Sequence, residues 1–465
     1  MLTDDALAIS PIDGRYRKKT SSLRTHFSEA ALISSRIKIE VLYLKALSAS
    51  KIIRSLSKKE LLILTQFMEF DEQAVSRVKE IEKTTHHDVK AVEYYLAQQF
   101  ASNSLKDLIP FIHFAITSED INNLAYRSML ATSLSTEIFP SARKILEELV
   151  VLINQYAALP ILARTHGQAA IPTTFGKEFA VFAERILLIL EELQNFRFHG
   201  KFNGAVGGYQ AMQFTYPEID WPKFSKKFVN SFGFDFVEVS TQICPADDLI
   251  KLFTIFYRLN GILLDLDQDI WRYISDGWLV QKGKENFVGS STMPQKINPI
   301  EFENSEGNLI MANALFEGMM RKLPISRLQR DLSESTVLRN IGSVFAYCLL
   351  AYSSLTAALS KLDIDKKAIN KSLFANYNIL AEAWQSLARK KGEQKAYEKV
   401  AKLSKNRIIN KKDWQILTKD MDAQLKNLSP TNYLGLSVQL SYNTVTKVKK
   451  FLKQNPNYQV TKKVD

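Results

Sequence analysis

The stretch from residue 289 to residue 308, GSSTMPQKINPIEFENSEGN, carries a dense set of side chains able to do chemistry. Gly289 frees the backbone, whereas Pro294 and Pro299 stiffen it and remove N–H donors, so the first half is predicted to be a loop. Two serines, a threonine and Lys296 supply hydroxyl groups and a positive charge. This combination is suited to binding an anion.

His166 is a second candidate, in the polar segment ARTHGQAAIP. Imidazole titrates near neutral pH and can protonate a leaving group, so this position suits a general acid. The alternative is a buried histidine with a purely structural role.

Two predicted helix starts carry groups that either cap the helix or bind an anion. His87 and Asp88 lie in TTHHDVKAVEYYL, and Thr117 and Ser118 lie in FIHFAITSEDINN, where the T-x-x-D spacing is typical of a capping box. Capping alone accounts for both stretches equally well.

The stretch SRLQRDLSESTVLRN spaces Arg327, Arg330, Ser335 and Arg339 at intervals compatible with neighbouring turns of a helix. Guanidinium groups arranged in this way could clamp a phosphate or a carboxylate. A salt-bridged surface, formed with the acids of the same stretch, is the alternative.

Long helices are predicted to position these groups. Glycine and proline number only 17 and 13 among 465 residues, and apolar residues recur at helical spacing over 175–198 and over 248–276. The uncharged stretch 340–360 is long enough to cross a membrane, but the centre of a helical bundle explains it better. We therefore predict an all-α fold.

Breaks in the helical pattern divide the chain into three predicted domains. An N-terminal helical domain covers 1–110, a central long-helix bundle with the loop at 289–308 covers 111–362, and a small helical domain covers 363–465.

Composition narrows the classes of function. The 61 basic and 49 acidic residues give a net charge of +12, which favours anionic partners ranging from nucleic acid to phosphorylated metabolites. Cys244 and Cys348 are far apart, and the N-terminus shows no signal peptide, so a cytoplasmic location is expected. The six histidines have no metal-ligand spacing, and the usual motifs for nucleotide triphosphates and dinucleotides are missing from the sequence.

Taken together, these stretches resemble the fumarase/aspartase superfamily. Its signature G-S-S-x-M-P-x-K-x-N-x-x-x-x-E fits residues 289–303 position by position. Within that superfamily the chain is similar to the adenylosuccinate lyase family of the bacterial long type, through SPIDGRY, TTHHDVKAVEYYL, FIHFAITSEDINNL, RTHGQ, GKFNGAVGGY and LPISRLQRDLSESTVLRN. Nearly the whole chain takes part in this resemblance.

The resemblance implies cleavage of a C–N bond by β-elimination, which releases fumarate from adenylosuccinate to leave AMP. The same reaction is implied for the succinyl-carboxamide ribotide of purine biosynthesis. It implies no cofactor, no metal, and a homotetramer in which three chains build each active site. An anionic nucleotide substrate would also account for the basic charge without nucleic acid or a membrane as partner.

Residue roles follow from the same resemblance. Ser290 matches the general base, His166 the acid that protonates the departing nitrogen, and Glu303 the carboxylate that orients that acid. Lys296 and Asn298 match residues that hold the substrate carboxylate. The remaining substrate-binding matches are Arg15, Tyr16, His86, His87, Asp88, Thr117, Ser118, Gln242, Ser291, Arg330, Ser335 and Arg339.

Three positions depart from the family pattern. Gln295 replaces the usual histidine of M-P-H-K, His86 replaces the asparagine of N-H-D, and Ala169 replaces the proline after T-H-G-Q. The sequence M-P-Q-K is typical of argininosuccinate lyases, so a sibling lyase acting on argininosuccinate is the nearest alternative. More distant alternatives are a basic nucleic-acid-binding protein and a non-catalytic scaffold of the same fold.

Overall fold

A computed structural model describes residues 4–281, 293, 296–405 and 407–456, and helices dominate the described part. The N-terminal helices are α1 Asp4–Leu7, α2 Arg24–Phe27, α3 Glu29–Ala49, α4 Lys58–Gln66, α5 Glu72–Thr85 and α6 Asp88–Ala101. The central helices are α7 Ser118–Ser133, α8 Phe139–Tyr156, α9 Phe175–Gln194, α10 Gln210–Thr215, α11 Trp221–Asn230, α12 Asp247–Ser275, α13 Ile300–Lys322, α14 Ser333–Leu338 and α15 Ile341–Leu359. The last helices are α16 Lys366–Phe374, α17 Ala381–Lys390, α18 Ala396–Ser404, α19 Lys411–Leu417, α20 Ala423–Lys426 and α21 Ser437–Gln454.

The predicted helical fold and its three long helices are confirmed. Apolar spacing placed helices over 175–198 and 248–276, and α9 and α12 occupy those stretches. The 29 residues of α12 make it roughly 43 Å long at about 1.5 Å per residue. The two ends of α12 therefore lie far apart, and the candidate site residues are divided between them.

The uncharged helix α15 lies in the centre of the bundle, where it packs along α8 and α13 and meets α12 through side chains. Phe345 of α15 meets Phe256 and Phe316 with ring centroids 5.1 and 5.6 Å apart. The described residues include one helical stretch, 333–359, that is long and apolar enough to span a membrane, and 67% of its most apolar window is buried inside the protein. Burial against three neighbouring helices explains its composition.

Short strands connect the helices. They are β1 Pro160–Thr165, β2 Gln168–Thr174, β3 His199–Gly200, β4 Asp235–Phe236, β5 Leu279–Gln281 and β6 Leu362–Ile364. β1 and β2 form an antiparallel hairpin, β3 pairs with β4 in parallel, and β5 pairs with β6 antiparallel. The final long helix, α21, packs along α8 and α9.

Helix α3 packs against α7 and carries three polar side chains on its buried face. Arg36, Glu40 and Tyr43 are spaced by four and three residues, so they follow one another along that face. Arg36 is 3% exposed, and Glu40 and Tyr43 are not exposed at all. Charged groups inside a protein require partners, and the partners of this face lie in the segments that carry the candidate site.

Candidate active site

Three of the predicted substrate-binding residues meet at the N-terminal end of α12. Arg330 donates from Nη1 to Gln242 Oε1 at 3.3 Å and from Nη2 to Ser335 Oγ at 3.2 Å. Its guanidinium also pairs with Glu119 at 2.9 Å and with Glu334 at 3.0 Å. Most of its hydrogen-bond donors are thus engaged within the protein, which fixes the group in place.

Burial and the nearby charge of Glu119 raise the pKa of Glu334, although Arg330 opposes this shift. Glu334 is only 6% exposed. Because Glu119 and Glu334 both pair with Arg330, the surroundings of Arg330 carry no excess of positive charge. An incoming anion must therefore bind at the remaining N–H and hydroxyl donors, or draw on the neighbouring Arg339.

The spacing of the arginines is not that of a continuous helix. Within the stretch, α14 covers only Ser333–Leu338, and Arg327 and Arg330 precede it. Leu328 has a φ of +53°, which a helix interior does not tolerate. Asp331 accepts N–H bonds from Arg327 at 3.1 Å and from Ser333 at 2.9 Å. This side-chain turn replaces the predicted helical turn, and the ion pairs of the alternative interpretation are present beside the polar cluster.

Arg339 lies at the C-terminal end of α14 and reaches Asp88 of α6, with Nη2 and Oδ2 3.4 Å apart. Asp88 is also paired with the buried Arg36 at 2.8 Å. Burial by itself would raise the pKa of Asp88, but the charges of Arg36 and Arg339 and the N–H of Val89 outweigh it and lower the pKa. Asp88 is consequently a carboxylate held between two guanidinium groups.

The two histidines before α6 cap helices. His86 ends α5 in the left-handed conformation, with φ 52°, and His87 accepts the Lys90 N–H at its Nδ1, 3.1 Å away. A neutral His87 that accepts at Nδ1 carries its proton on Nε2, which leaves one ring donor for a ligand. Both side chains are exposed. Capping of this helix start is therefore present, and His87 is the residue that provides it.

Thr117 and Ser118 begin α7, where the expected capping interaction is present. The Asp120 carboxylate accepts the Thr117 N–H at 2.9 Å. It also accepts the N–H groups of Asn203 and Gly204, at 3.0 and 3.1 Å. Lys201 Nζ lies 3.0 Å from the same carboxylate, and neither side chain of this pair is exposed. The segment at 201–204 is thus clamped to the start of α7.

Helix α3 fixes the segment that precedes Thr117. His113 and Ala115 both have positive φ, 56° and 58°, which is strained for residues other than glycine. Glu40 accepts the His113 N–H at 3.1 Å, and the Tyr43 hydroxyl donates to the carbonyl of the following residue at 2.8 Å. Burial lowers and Glu40 raises the pKa of His113, and the net shift is upward. The strained backbone is held by this buried polar face.

His166 occupies the tip of the β1–β2 hairpin. It and Gly167 form a two-residue turn in which both φ angles are positive, 52° and 72°. This geometry is typical of a hairpin turn matched to the twist of its strands. The His166 side chain is exposed, and no residue in the described ranges hydrogen-bonds its ring. The structural alternative of a buried histidine is wrong.

The hairpin lies beside the C-terminal end of α12. Arg164 Nε is 3.5 Å from Asp276, which caps α12, and the Arg164 guanidinium lies 5.6 Å from the centre of the Trp278 ring. Glu303, in the first turn of α13, accepts the Trp271 N–H at 3.3 Å. His166 and Glu303 are therefore near the same end of α12.

The other predicted residues of this end lie around the start of α13. Lys296 is exposed and Asn298 half-buried, and both precede α13 directly. The Tyr16 hydroxyl is 3.3 Å from Asn304 Nδ2, and Arg15 is exposed beside it. Ser290, Ser291 and Gln295 lie outside the described residues.

Within one chain the two groups do not meet. Gln242 comes five residues before α12 and Arg330 contacts it, whereas His166 and Glu303 lie at the opposite end, roughly 40 Å away. Sequence reasoning missed Arg36, Asn122 and Lys201, which hold the first group in place. Arg36 has one signal, a charged residue within the largely apolar helical run ALISSRIKIEVLYL, because a buried polar group needs a partner. Asn122 and Lys201 lie in polar stretches and carry no such signal.

The chain matches two family models. The model described as "Lyase" covers residues 14–314, and the model described as "Adenylosuccinate lyase C-terminal" covers residues 326–434. Among curated relatives, the adenylosuccinate lyase of Legionella pneumophila (strain Corby) is 45% identical over 444 residues, 93% of this chain and 97% of that protein. The adenylosuccinate lyase of Escherichia coli (strain K12) is 42% identical over the same shares.

Solved structures share the fold at low sequence identity. A fumarate lyase from Mesorhizobium sp. BNC1 aligns with a TM-score of 0.74 and 18% identity, over 92% of this chain and 97% of that chain. A 3-carboxy-cis,cis-muconate lactonizing enzyme from Pseudomonas putida aligns with a TM-score of 0.75 and 18% identity, over 93% and 97%.

Proposed function

The chain belongs to the adenylosuccinate lyase family, and we propose that it releases fumarate from adenylosuccinate to leave AMP, and likewise from the succinyl-carboxamide ribotide. The observation that carries this proposal is 45% identity over 93% of the chain to an adenylosuccinate lyase. The reaction is a β-elimination, so one group must take a proton from carbon while another gives a proton to nitrogen.

The proposed chemistry assigns these two steps to different loops. Ser290 removes the proton from the carbon beside a carboxylate, and the C–N bonding electrons leave with the nitrogen, which His166 protonates. Lys296 and Asn298 bind the carboxylate on which negative charge develops. The exposed turn at His166 and the Trp271 N–H bond to Glu303 support a proton donor and its orienting carboxylate at one end of the bundle.

We propose that the active site is completed in a homotetramer. His166 and Arg330 lie at opposite ends of α12, so one chain cannot present both to one substrate. Several apolar side chains on the long helices are exposed in the single chain and suit an interface between copies. They are Val181 and Leu188 of α9, Tyr257 of α12, and Ile310 and Met311 of α13.

Fumarate release by the purified protein tests the reaction. We expect release from adenylosuccinate, and loss of release in Ser290→Ala and in His166→Ala. Argininosuccinate in a parallel assay tests the sibling activity that Gln295 favours. Release from argininosuccinate alone would overturn the substrate assignment, and release from neither substrate would overturn the lyase function.

Mixing two inactive variants tests whether sites are shared between chains. His166→Ala and Arg330→Ala damage opposite ends of α12, so hybrid tetramers contain some sites with both residues intact. Random assembly from equal amounts leaves about a quarter of the sites complete. Recovery of about a quarter of the wild-type rate after co-refolding is expected, and an inactive mixture of folded tetramers would show that the site lies within one chain.

The proposed substrate and location follow from the same function. The substrate is a nucleotide bearing one phosphate and two carboxylates, which suits a basic protein without nucleic acid as partner. We propose a cytoplasmic site of action.

A further inference from the structure

We propose that Arg36 is a positioning residue that keeps the two anion-binding arginines, Arg330 and Arg339, at a fixed spacing. This inference rests on the proposed function. Arg36 is not a free cation, since its side chain is only 4% exposed and it is held by Asp88 and Asn122. Arg36 therefore acts through the residues that it positions.

Arg36 bridges two different helices with two different nitrogens. Its Nη2 lies 2.8 Å from Asp88 Oδ2, at the start of α6. Its Nε donates to Asn122 Oδ1 in α7 at 2.9 Å, across a sequence separation of 86 residues. The planar guanidinium presents these donors in a rigid fork, so the two contacts fix the relative position of α6 and α7.

Each of these contacts continues to one of the arginines. On the α6 side, Asp88 Oδ2 is 3.4 Å from Arg339 Nη2. On the α7 side, Asn122 Nδ2 donates to Glu119 Oε1 at 2.8 Å, and that oxygen lies 2.9 Å from Arg330 Nη2. The result is one unbroken polar chain, which runs Arg339, Asp88, Arg36, Asn122, Glu119, Arg330.

The Asp88 side of this chain borders open space. Arg36, Asp88 and Arg339 line a cavity of about 280 Å³ together with Tyr126 and the start of α15. Arg339 is 61% exposed, whereas Asp88 is 27% exposed. Asp88 divides its attraction between the buried Arg36 and the exposed Arg339, so the buried partner leaves the exposed guanidinium available to an anion.

Loss of Arg36 changes this balance. Of the two guanidinium groups that pair with Asp88, Arg36→Met leaves only that of Arg339. Arg339 is then drawn toward Asp88 and away from a ligand. Asn122 loses a donor at the same time, which loosens Glu119 and Arg330. In Arg36→Lys a positive charge stays beside Asp88, but a single ammonium group cannot reproduce the fork to Asn122.

Equilibrium binding of AMP and of fumarate to the intact protein, together with steady-state kinetics on adenylosuccinate, tests the inference. We expect Arg36→Met to weaken AMP binding and to raise KM by about tenfold, the scale of one lost charge-assisted hydrogen bond. Fumarate binding and kcat should change much less, because the groups proposed for the fumarate carboxylates lie at the other end of α12. Arg36→Lys should fall between wild type and Arg36→Met.

Arg54→Met is the matched control. Arg54 also bridges two acids, with Glu60 at 2.8 Å and Asp107 at 2.6 Å, and it contacts none of the candidate residues. It should lower stability without changing AMP binding or KM. Equal AMP affinity in wild type and folded Arg36→Met or Arg36→Lys would overturn the positioning role alone. A wild-type protein that neither binds AMP nor releases fumarate would overturn the proposed function, and the inference with it.

Discussion

The buried ion pair between Lys201 and Asp120 gives a sharp test of how the start of α7 is held. Both side chains have zero exposure, and Lys201 Nζ lies 3.0 Å from Asp120 Oδ1. The carboxylate also accepts three backbone N–H groups, at 2.9, 3.0 and 3.1 Å. Lys201→Met keeps the shape of an unbranched chain but leaves a carboxylate in the interior without its counter-charge.

The size of the loss follows from what remains around Asp120. Removing one partner of a buried ion pair costs about 3–5 kcal/mol, because the other charge stays away from water. The three N–H donors continue to stabilise the carboxylate, and hydrogen bonds to a charged group contribute about 1.5–3 kcal/mol each. We therefore expect Lys201→Met to lower the free energy of unfolding by about 3 kcal/mol, the lower end of that range.

Urea unfolding followed by far-UV circular dichroism, at one fixed chain concentration, measures this difference. Lys447→Met is the control, because Lys447 forms a pair of similar length with Glu184, 2.9 Å, but is 61% exposed. The exposed pair should contribute about 0–1 kcal/mol. Adding Asp120→Asn to Lys201→Met should recover part of the loss, since no unpaired charge remains. A loss no larger than that of the control would refute the reasoning.

Three further predictions concern other parts of the chain. Burial raises the pKa of Asp267 well above its ordinary value, so the folded state holds a proton that the unfolded chain releases above about pH 4. The stability of the wild type therefore falls as pH rises through the folded pKa. Asp267→Asn should flatten the profile of urea midpoints between pH 5 and 9, and parallel profiles for the two proteins would contradict this. A Cβ on Gly176 would lie 2.4 Å from the backbone of Ala157, which follows α8, so Gly176→Ala should lower the free energy of unfolding in urea by about 1–3 kcal/mol. Gly318→Ala, with nothing within 4 Å of the added Cβ, should raise it by about 1 kcal/mol. Burial raises the pKa of Cys244 to about 11 and of Cys348 to about 12, so a thiol reagent at pH 8 should modify both only after unfolding, and rapid labelling of the native protein would argue against it.

The long helices were predictable because their apolar residues repeat at helical spacing. Residues 175–198 and 248–276 show this periodicity, and α9 and α12 begin and end within a few residues of those limits. The same reasoning was wrong for the arginine stretch, where a helical interval between Arg327 and Arg339 suggested neighbouring turns. There the Asp331 carboxylate accepts two backbone N–H groups, those of Arg327 and Ser333. These bonds compete with helical hydrogen bonds, so the helix does not begin until Ser333.

The roles of the candidate site residues stay predictions, and the contacts that hold these residues could not be predicted from the sequence. Family resemblance picked out Gln242, Arg330 and Ser335, which the fold brings within hydrogen-bond distance. Arg36 belongs to no quoted motif, and its contact with Asn122 joins residues 86 positions apart. No local pattern encodes such a contact, because it depends on how two helices pack. The predicted domain boundaries at 110 and 362 stay predictions.

The two ends of α12 hold their polar groups in different ways, and the difference fits what each end must do. At the N-terminal end, Arg330 is held by Glu119, and Asp88, which pairs with Arg339, is held by the buried Arg36. The anion that we propose to bind there therefore meets guanidinium donors that are already in place. At the C-terminal end, His166 stands on an exposed two-residue turn. A proton donor must be sheltered from water to act on a leaving group, and a neighbouring chain of the proposed tetramer can provide that shelter. On this view each chain carries a preformed anion-binding half, whereas the proton-transfer half is completed only by assembly.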